Sequence, residues 1–112
     1  MIETVYSYSL DDEKKVEKLI DNDEAMINHM VFPKNAGLPE HYSNSHVYMT
    51  VLRGTLTLQL EDEPAREYQK GSIVNIPYHT KMNVGNVHDE VMEMFVIKAP
   101  NPRCYKEEAH EA

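Results

Sequence analysis

Between Glu40 and Gly54 the chain reads EHYSNSHVYMTVLRG, which sets His41 and His46 five positions apart at the start of an apolar run. Two imidazoles can begin a site for Fe(II), Mn(II) or Zn(II), ions that favour ring nitrogen and carboxylate oxygen. They can equally be flanking residues of a strand. Parity separates the two histidines, because His46 adjoins Val47 and neighbours on a strand point to opposite faces. A fully extended segment 40–46 would also hold His41 and His46 roughly 16 Å apart, at ~3.3 Å per residue. The intervening Ser43-Asn44-Ser45 favours a turn, however, and a bulge there can re-aim one side chain. His46 is therefore read as a rim histidine, with a ligand role as its alternative.

The remaining reactive groups are scattered. His29 lies between Ile27 and Val31 on its strand face and reads as a hydrogen-bonded structural histidine, with a barrel-lining role as the alternative. His79 follows Pro77-Tyr78 in a turn, and Glu93 falls between Met92 and Met94 in the last strand. Glu93 is read as solvent-facing, the alternative being a late metal ligand. Cys104 stands alone between Arg103 and Tyr105, and the sequence has neither a Gly-x-Ser-x-Gly elbow nor a Gly-rich phosphate loop. Nucleophilic hydrolysis and nucleotide chemistry thus find no support.

The elements that must position these groups are short. A chain of 112 residues with 41% apolar content fits one domain with a modest core. Its formal charge of −8 disfavours nucleic acid, whose phosphate backbone is bound mainly by clustered Lys and Arg. No run approaches the ~20 apolar residues that cross a bilayer, and MIETVYSYSLDDEKK lacks the basic and apolar regions of a signal peptide. A single cysteine forms no internal disulfide. These features predict a cytoplasmic protein with no membrane or nucleic-acid partner.

Residues 3–9 alternate and read as an edge strand. Ser9 with Asp12 resembles a capping box opening a short helix, with Val16, Leu19 and Ile20 as its apolar stripe and Asn22-Asp23 as its end. From Ala25 the period changes to two. AMINHMVF divides into Met26, Asn28, Met30 and Phe32 against Ala25, Ile27, His29 and Val31, and the pattern alone leaves the buried side open. VYMTVL, TLTLQL, SIVNIP, residues 81–84 and EVMEMFVIK continue the alternation between glycine, proline and acidic turns. Such spacing predicts an all-β sandwich or barrel of eight or more strands, with Gly54 and Gly71 at turns. The expected organisation is a strand and short helix in residues 1–24, a barrel in 25–100 and a flexible tail in 101–112.

VLRGTLTLQL followed by KGSIVNIPYHTKMNV resembles the cupin family, small antiparallel β-barrels of jelly-roll type. The family's first motif is Gly, five residues, His-x-His, three or four residues, Glu, six residues, Gly. Counted back from Gly54 with the three-residue spacing, Val47 takes the Glu position, Ser43 and His41 the two His positions, and Asn35 the opening Gly. The second motif is matched at Gly71, Pro77 and Asn86, while His79 replaces its inner glycine and Met82 its histidine. The resemblance implies that the family's three histidines and one glutamate correspond to His41, Ser43, Met82 and Val47. A hydroxyl, an aliphatic carbon and a thioether are poor partners for hard or borderline divalent ions. No tightly held metal and no cofactor are therefore expected.

Met49 shares the inward parity of Val47. His41, Ser43, Val47, Met49 and Met82 are accordingly the expected ligand-binding set, lining a lumen for a small, largely apolar molecule. Two alternatives remain open. One is a metal-dependent isomerase or dioxygenase with a site rearranged around His41, completed by His46, His29 or Glu93. The other is a non-catalytic interaction protein whose barrel is filled by its own side chains, since methionine adapts readily to irregular gaps. The resemblance and the alternating VYSYS segment together imply a homodimer.

Overall fold

Alternating side chains become strands nearly throughout the computed structural model, which describes residues 1–105. The strands run β1 (Lys15–Asp21), β2 (Met26–Phe32), β3 (Gly37–Tyr42), β4 (Val47–Arg53), β5 (Thr55–Leu60), β6 (Arg66–Gln69), β7 (Ile73–Ile76), β8 (Lys81–Gly85) and β9 (Met92–Lys98). They form a five-stranded sheet of order β1-β2-β9-β4-β7 and a four-stranded sheet of order β3-β8-β5-β6. Every described pairing is antiparallel. The result is the expected all-β jelly roll.

Register explains the core. Met30 pairs with Met94 and Met49 with Val96, so one face of the larger sheet carries Met30, Phe32, Val47, Met49 and Val51 inward. Leu58 opposite Val84 and Leu60 opposite Met82 supply the facing layer from the smaller sheet. Leu56 and Phe32 have no exposed surface. Each such side chain contributes about 1.5–3 kcal/mol by leaving water. Gly54 turns the chain from β4 to β5 at φ 73°, and a Cβ there would collide with the Val91 carbonyl. Only glycine fits that approach.

The N-terminal helix expected in residues 10–22 is a strand instead. Lys15 pairs with Val31 and Glu17 with His29, which gives the edge of β2 a partner. A register shift between Lys18 and Ile20 breaks the alternation, so Val16, Leu19 and Ile20 fall at intervals that imitate a helical stripe. Ser9 does not cap a helix; its amide and hydroxyl both bind the Glu17 carboxylate. Long-range pairing outweighs the local helical signal here. Residues 3–9, expected as an edge strand, lie outside both sheets. The helical turn that does occur is at residues 103–105. Asn101 and Pro102 are buried rather than frayed, while the remainder of the expected tail lies outside the described residues.

Candidate functional site

The end of the barrel is built where the β3–β4 loop meets the β7–β8 turn. Ser43 fastens the two: its hydroxyl donates to the Pro77 carbonyl at 2.6 Å and accepts from the Thr80 amide at 2.7 Å. The Ser43 amide donates to the Thr80 carbonyl, and the His79 amide donates to the Ser43 carbonyl. Serine at this position is thus a loop staple, with both hydroxyl functions occupied. His41 arrives by a different device. The β3–β8 register shifts between Leu38 and His41, so Leu38 opposes Val84 and His41 opposes Met82. Although mostly exposed, His41 reaches the lumen, and its Nδ1 donates to the Pro39 carbonyl at 2.8 Å.

All five residues singled out from the sequence, His41, Ser43, Val47, Met49 and Met82, line one cavity of about 40 Å³. Met30, Leu38, Asn44, Val96 and Lys98 complete it. The space is small, since a single water in the liquid occupies about 30 Å³. Outside it lies a cleft of about 250 Å³ walled by Tyr42, Tyr78, His79, Pro102 and Tyr105, and Ser43 and Asn44 line both spaces. Tyr78 and Tyr105 stack at 4.0 Å between ring centroids, and Tyr42 lies 4.8 Å from His79. His79 holds φ at 61°, the left-handed region that a non-glycine residue seldom adopts.

The donor set does not suit a divalent metal. Val47 offers no lone pair, Met82 a soft thioether, and the Ser43 hydroxyl is already used twice. The groups considered for a rearranged shell are elsewhere. His46 is exposed beside inward Ser45 and Val47, while His29 and Glu93 occupy the opposite face of the larger sheet from the lumen. There the two ring nitrogens of buried His29 share hydrogen bonds with the carboxyl groups of Glu17 and Glu93, at 2.7 and 2.6 Å. Arg53 Nε lies 3.4 Å from Glu93, and Asp12 accepts from Arg53 at 2.7 Å. Among the described residues no three His, Cys, Asp or Glu side chains are placed to hold a metal ion.

Lys98 was missed in the sequence, although its signal was present. Met92, Met94 and Val96 all point inward, and Lys98 is next on that face. Burial, then the charge on Lys18, holds its ammonium below the ordinary lysine range. Asn44, Tyr78 and Tyr105 were also missed, because a loop residue and a stacking pair 27 positions apart leave no periodic trace.

Two facing antiparallel sheets with a polar-tipped cavity at one end define a small jelly-roll barrel. The chain belongs to the cupin family, whose domain matches residues 28–98. It is 42% identical over 104 residues to an uncharacterized protein of Methanocaldococcus jannaschii, covering 92% of this chain and 90% of that one. The crystal structure of that archaeal protein, described as an RmlC-like cupin with a double-stranded β-helix fold, superposes with a TM-score of 0.91 at 41% identity. That match covers 95% of this chain and 98% of the other. A cupin superfamily protein of Desulfitobacterium hafniense shares the fold at a TM-score of 0.71 and 13% identity, over 85% of this chain and 84% of its own.

Proposed function

We propose that the protein binds a small, largely apolar molecule at the end of its barrel, without a tightly held metal. The carrying observation is that the apolar cavity and the aromatic cleft share Ser43 and Asn44 as lining residues. A cavity of about 40 Å³ holds only a small group, whereas the cleft of about 250 Å³ approaches the ~300 Å³ at which ligand pockets begin. The body of the molecule accordingly sits among Tyr42, Tyr78 and His79, with an apolar tip toward Val47 and Met82. Met30, Met49 and Met82 supply flexible walls that adapt to that tip.

A thermal-shift screen of small aromatic compounds tests this reading. Stabilisation should appear with wild type and weaken with Tyr78→Ala, since a ligand that binds only the folded state raises its stability. No stabilising compound across the screen would favour the filled barrel, which the small lumen supports as a second reading. Elemental analysis of untagged protein addresses the metal-dependent isomerase or dioxygenase reading. Stoichiometric metal, lost in His41→Ala, would overturn the metal-free proposal.

A homodimer is proposed as well. Val5, Tyr6 and Tyr8 are exposed at 69%, 51% and 40% beside an apolar surface cleft lined by Leu19, Ile20, Ile27, Phe95 and Ile97. Covering such a surface is a usual reason for two copies to pair. Only monomer by light scattering at tens of micromolar would reject it.

A further inference from the structure

We infer that Lys98 is an imine-forming lysine, whose amine adds to the carbonyl carbon of a small aldehyde or ketone in the cavity at the barrel end. This inference rests on reading that cavity as a binding site. Lys98 pairs with Val47 on one side and Met26 on the other, and follows Met92, Met94 and Val96 on the inward face. It lines the cavity beside Met30, Val47 and Val96. Among the described residues Lys15, Lys18, Lys34 and Lys81 each meet a carboxylate within ion-pair distance, whereas Lys98 meets none. An inward, unpaired ammonium against apolar walls loses hydration without compensation, which favours the neutral, nucleophilic amine. The depressed titration of Lys98, caused first by burial and then by Lys18, agrees with that geometry.

The chemistry is balanced without any oxidant or reductant. The amine lone pair forms a C–N bond to the carbonyl carbon, and the carbonyl oxygen takes up a proton to give a carbinolamine. The carbinolamine then loses its hydroxyl as water while nitrogen forms the C=N bond, so one amine and one carbonyl compound give one imine and one water. His41 lines the same cavity, and with Nδ1 committed to the Pro39 carbonyl its Nε2 remains available to carry the proton. Apolar walls favour a neutral carbonyl compound over an anion. A space of about 40 Å³ limits the reacting portion to a few heavy atoms.

Acetaldehyde at limiting concentration, with cyanoborohydride to reduce the imine, is the probe. Peptide mapping by mass spectrometry should show ethylation of Lys98 at least ~10-fold faster than that of exposed Lys70. Equal or slower labelling of Lys98 would overturn the proposal. Val47→Phe, which fills the cavity, should bring Lys98 down to the rate of Lys70. Because overpacking a core costs stability, xenon under pressure supplies a competition in wild type, as xenon occupies dry apolar cavities. Xenon should slow Lys98 and leave Lys70 unchanged; undiminished fast labelling would show that the carbonyl does not enter by the cavity and overturn the proposal. Methyl carbon shifts of Met30, Met49 and Met82 under xenon report entry without covalent chemistry. Shifted methyls with unselective labelling would refute the imine and leave the binding site standing. Unshifted methyls with unselective labelling would refute both.

Discussion

The two faces of the larger sheet treat ionisable side chains in opposite ways. On the outer face His29 is fully buried, yet each ring nitrogen shares a hydrogen bond with a carboxyl group, and Arg53 and Asp12 extend the chain of charges. On the inner face Lys98 stands among methionines and valines with no acid beside it among the described residues. The outer network ties its charged groups to one another, although Arg53 Nε makes only an ion pair with Glu93 and no hydrogen bond. The inner amine is open. A buried group whose hydrogen-bonding capacity is exhausted is structural, whereas one left unmatched is where a ligand can supply what the fold withholds.

The largest expected effect comes from making the lumen resemble the outer face in its chemistry. Ser43→His, Val47→Glu and Met82→His together, with His41 retained, would put three imidazoles and a carboxylate around the cavity. The variant without metal should lose several kcal/mol of stability, as buried charges lacking partners do. Added Zn(II) or Mn(II) should restore it with stoichiometric binding, and His41→Ala should abolish that rescue. Calorimetry with and without metal reads both effects. A folded variant without metal affinity would mean that these side chains do not converge.

Next in size is opening the closed network. His29→Ala leaves Glu17 and Glu93 facing each other across a vacated site and removes the ring that packs 4.7 Å from Tyr8 and 5.6 Å from Phe95. A loss of about 1–3 kcal/mol in urea unfolding is expected, because the change removes a fully buried ring and takes a hydrogen-bond partner from each carboxyl group. A change below ~0.5 kcal/mol, the scale of an ordinary surface substitution, would contradict the structural role given to this histidine. Lys98→Met should behave in the opposite sense. It replaces an unpaired, partly buried ammonium by an apolar chain of similar length, so stability should hold or rise by up to about 1 kcal/mol. A loss exceeding ~1 kcal/mol would indicate a partner for Lys98 and close the inner face as well.

The same contrast shows what the sequence could reveal. His41, Ser43, Val47, Met49 and Met82 were legible because motif offsets and period-two alternation place them without knowledge of the partner strands. β1 was not legible, since the irregularity at Leu19 converts an edge strand into something with helical spacing. The closure of the outer network was also hidden. Glu17 and Glu93 are 12 and 64 positions from His29, and no local pattern announces that both will arrive at one ring. Lys98 was legible in principle through the parity of MEMFVIK. Parity alone gives that lysine no chemical signature, since none of the family's ligand positions falls on β9. Tyr105 was assigned to a loose tail because its reason for order, stacking on Tyr78, lies in another part of the chain.

The smallest effect belongs to the exposed rim of the closed network, and it appears in acid. Hydrogen bonding from His29, then from the Ser9 hydroxyl and amide, lowers the Glu17 carboxyl from its ordinary 4.5 to about 2. A carboxyl that ionises more readily when folded stabilises the folded state wherever it is charged in the native protein. The contribution of Glu17 is therefore complete above about pH 4.5 and is lost as pH falls toward about 2. Glu17 retains 28% of its side-chain exposure, and solvent screening keeps its share of the acid limb small. Glu17→Gln should lower stability at neutral pH and flatten the loss between those two values. Ser9→Ala, which removes one donor and leaves His29, should shift the same limb upward by less. Parallel curves for wild type and Glu17→Gln from pH 4.5 to 2 would show that this carboxylate carries no proton-linked stability.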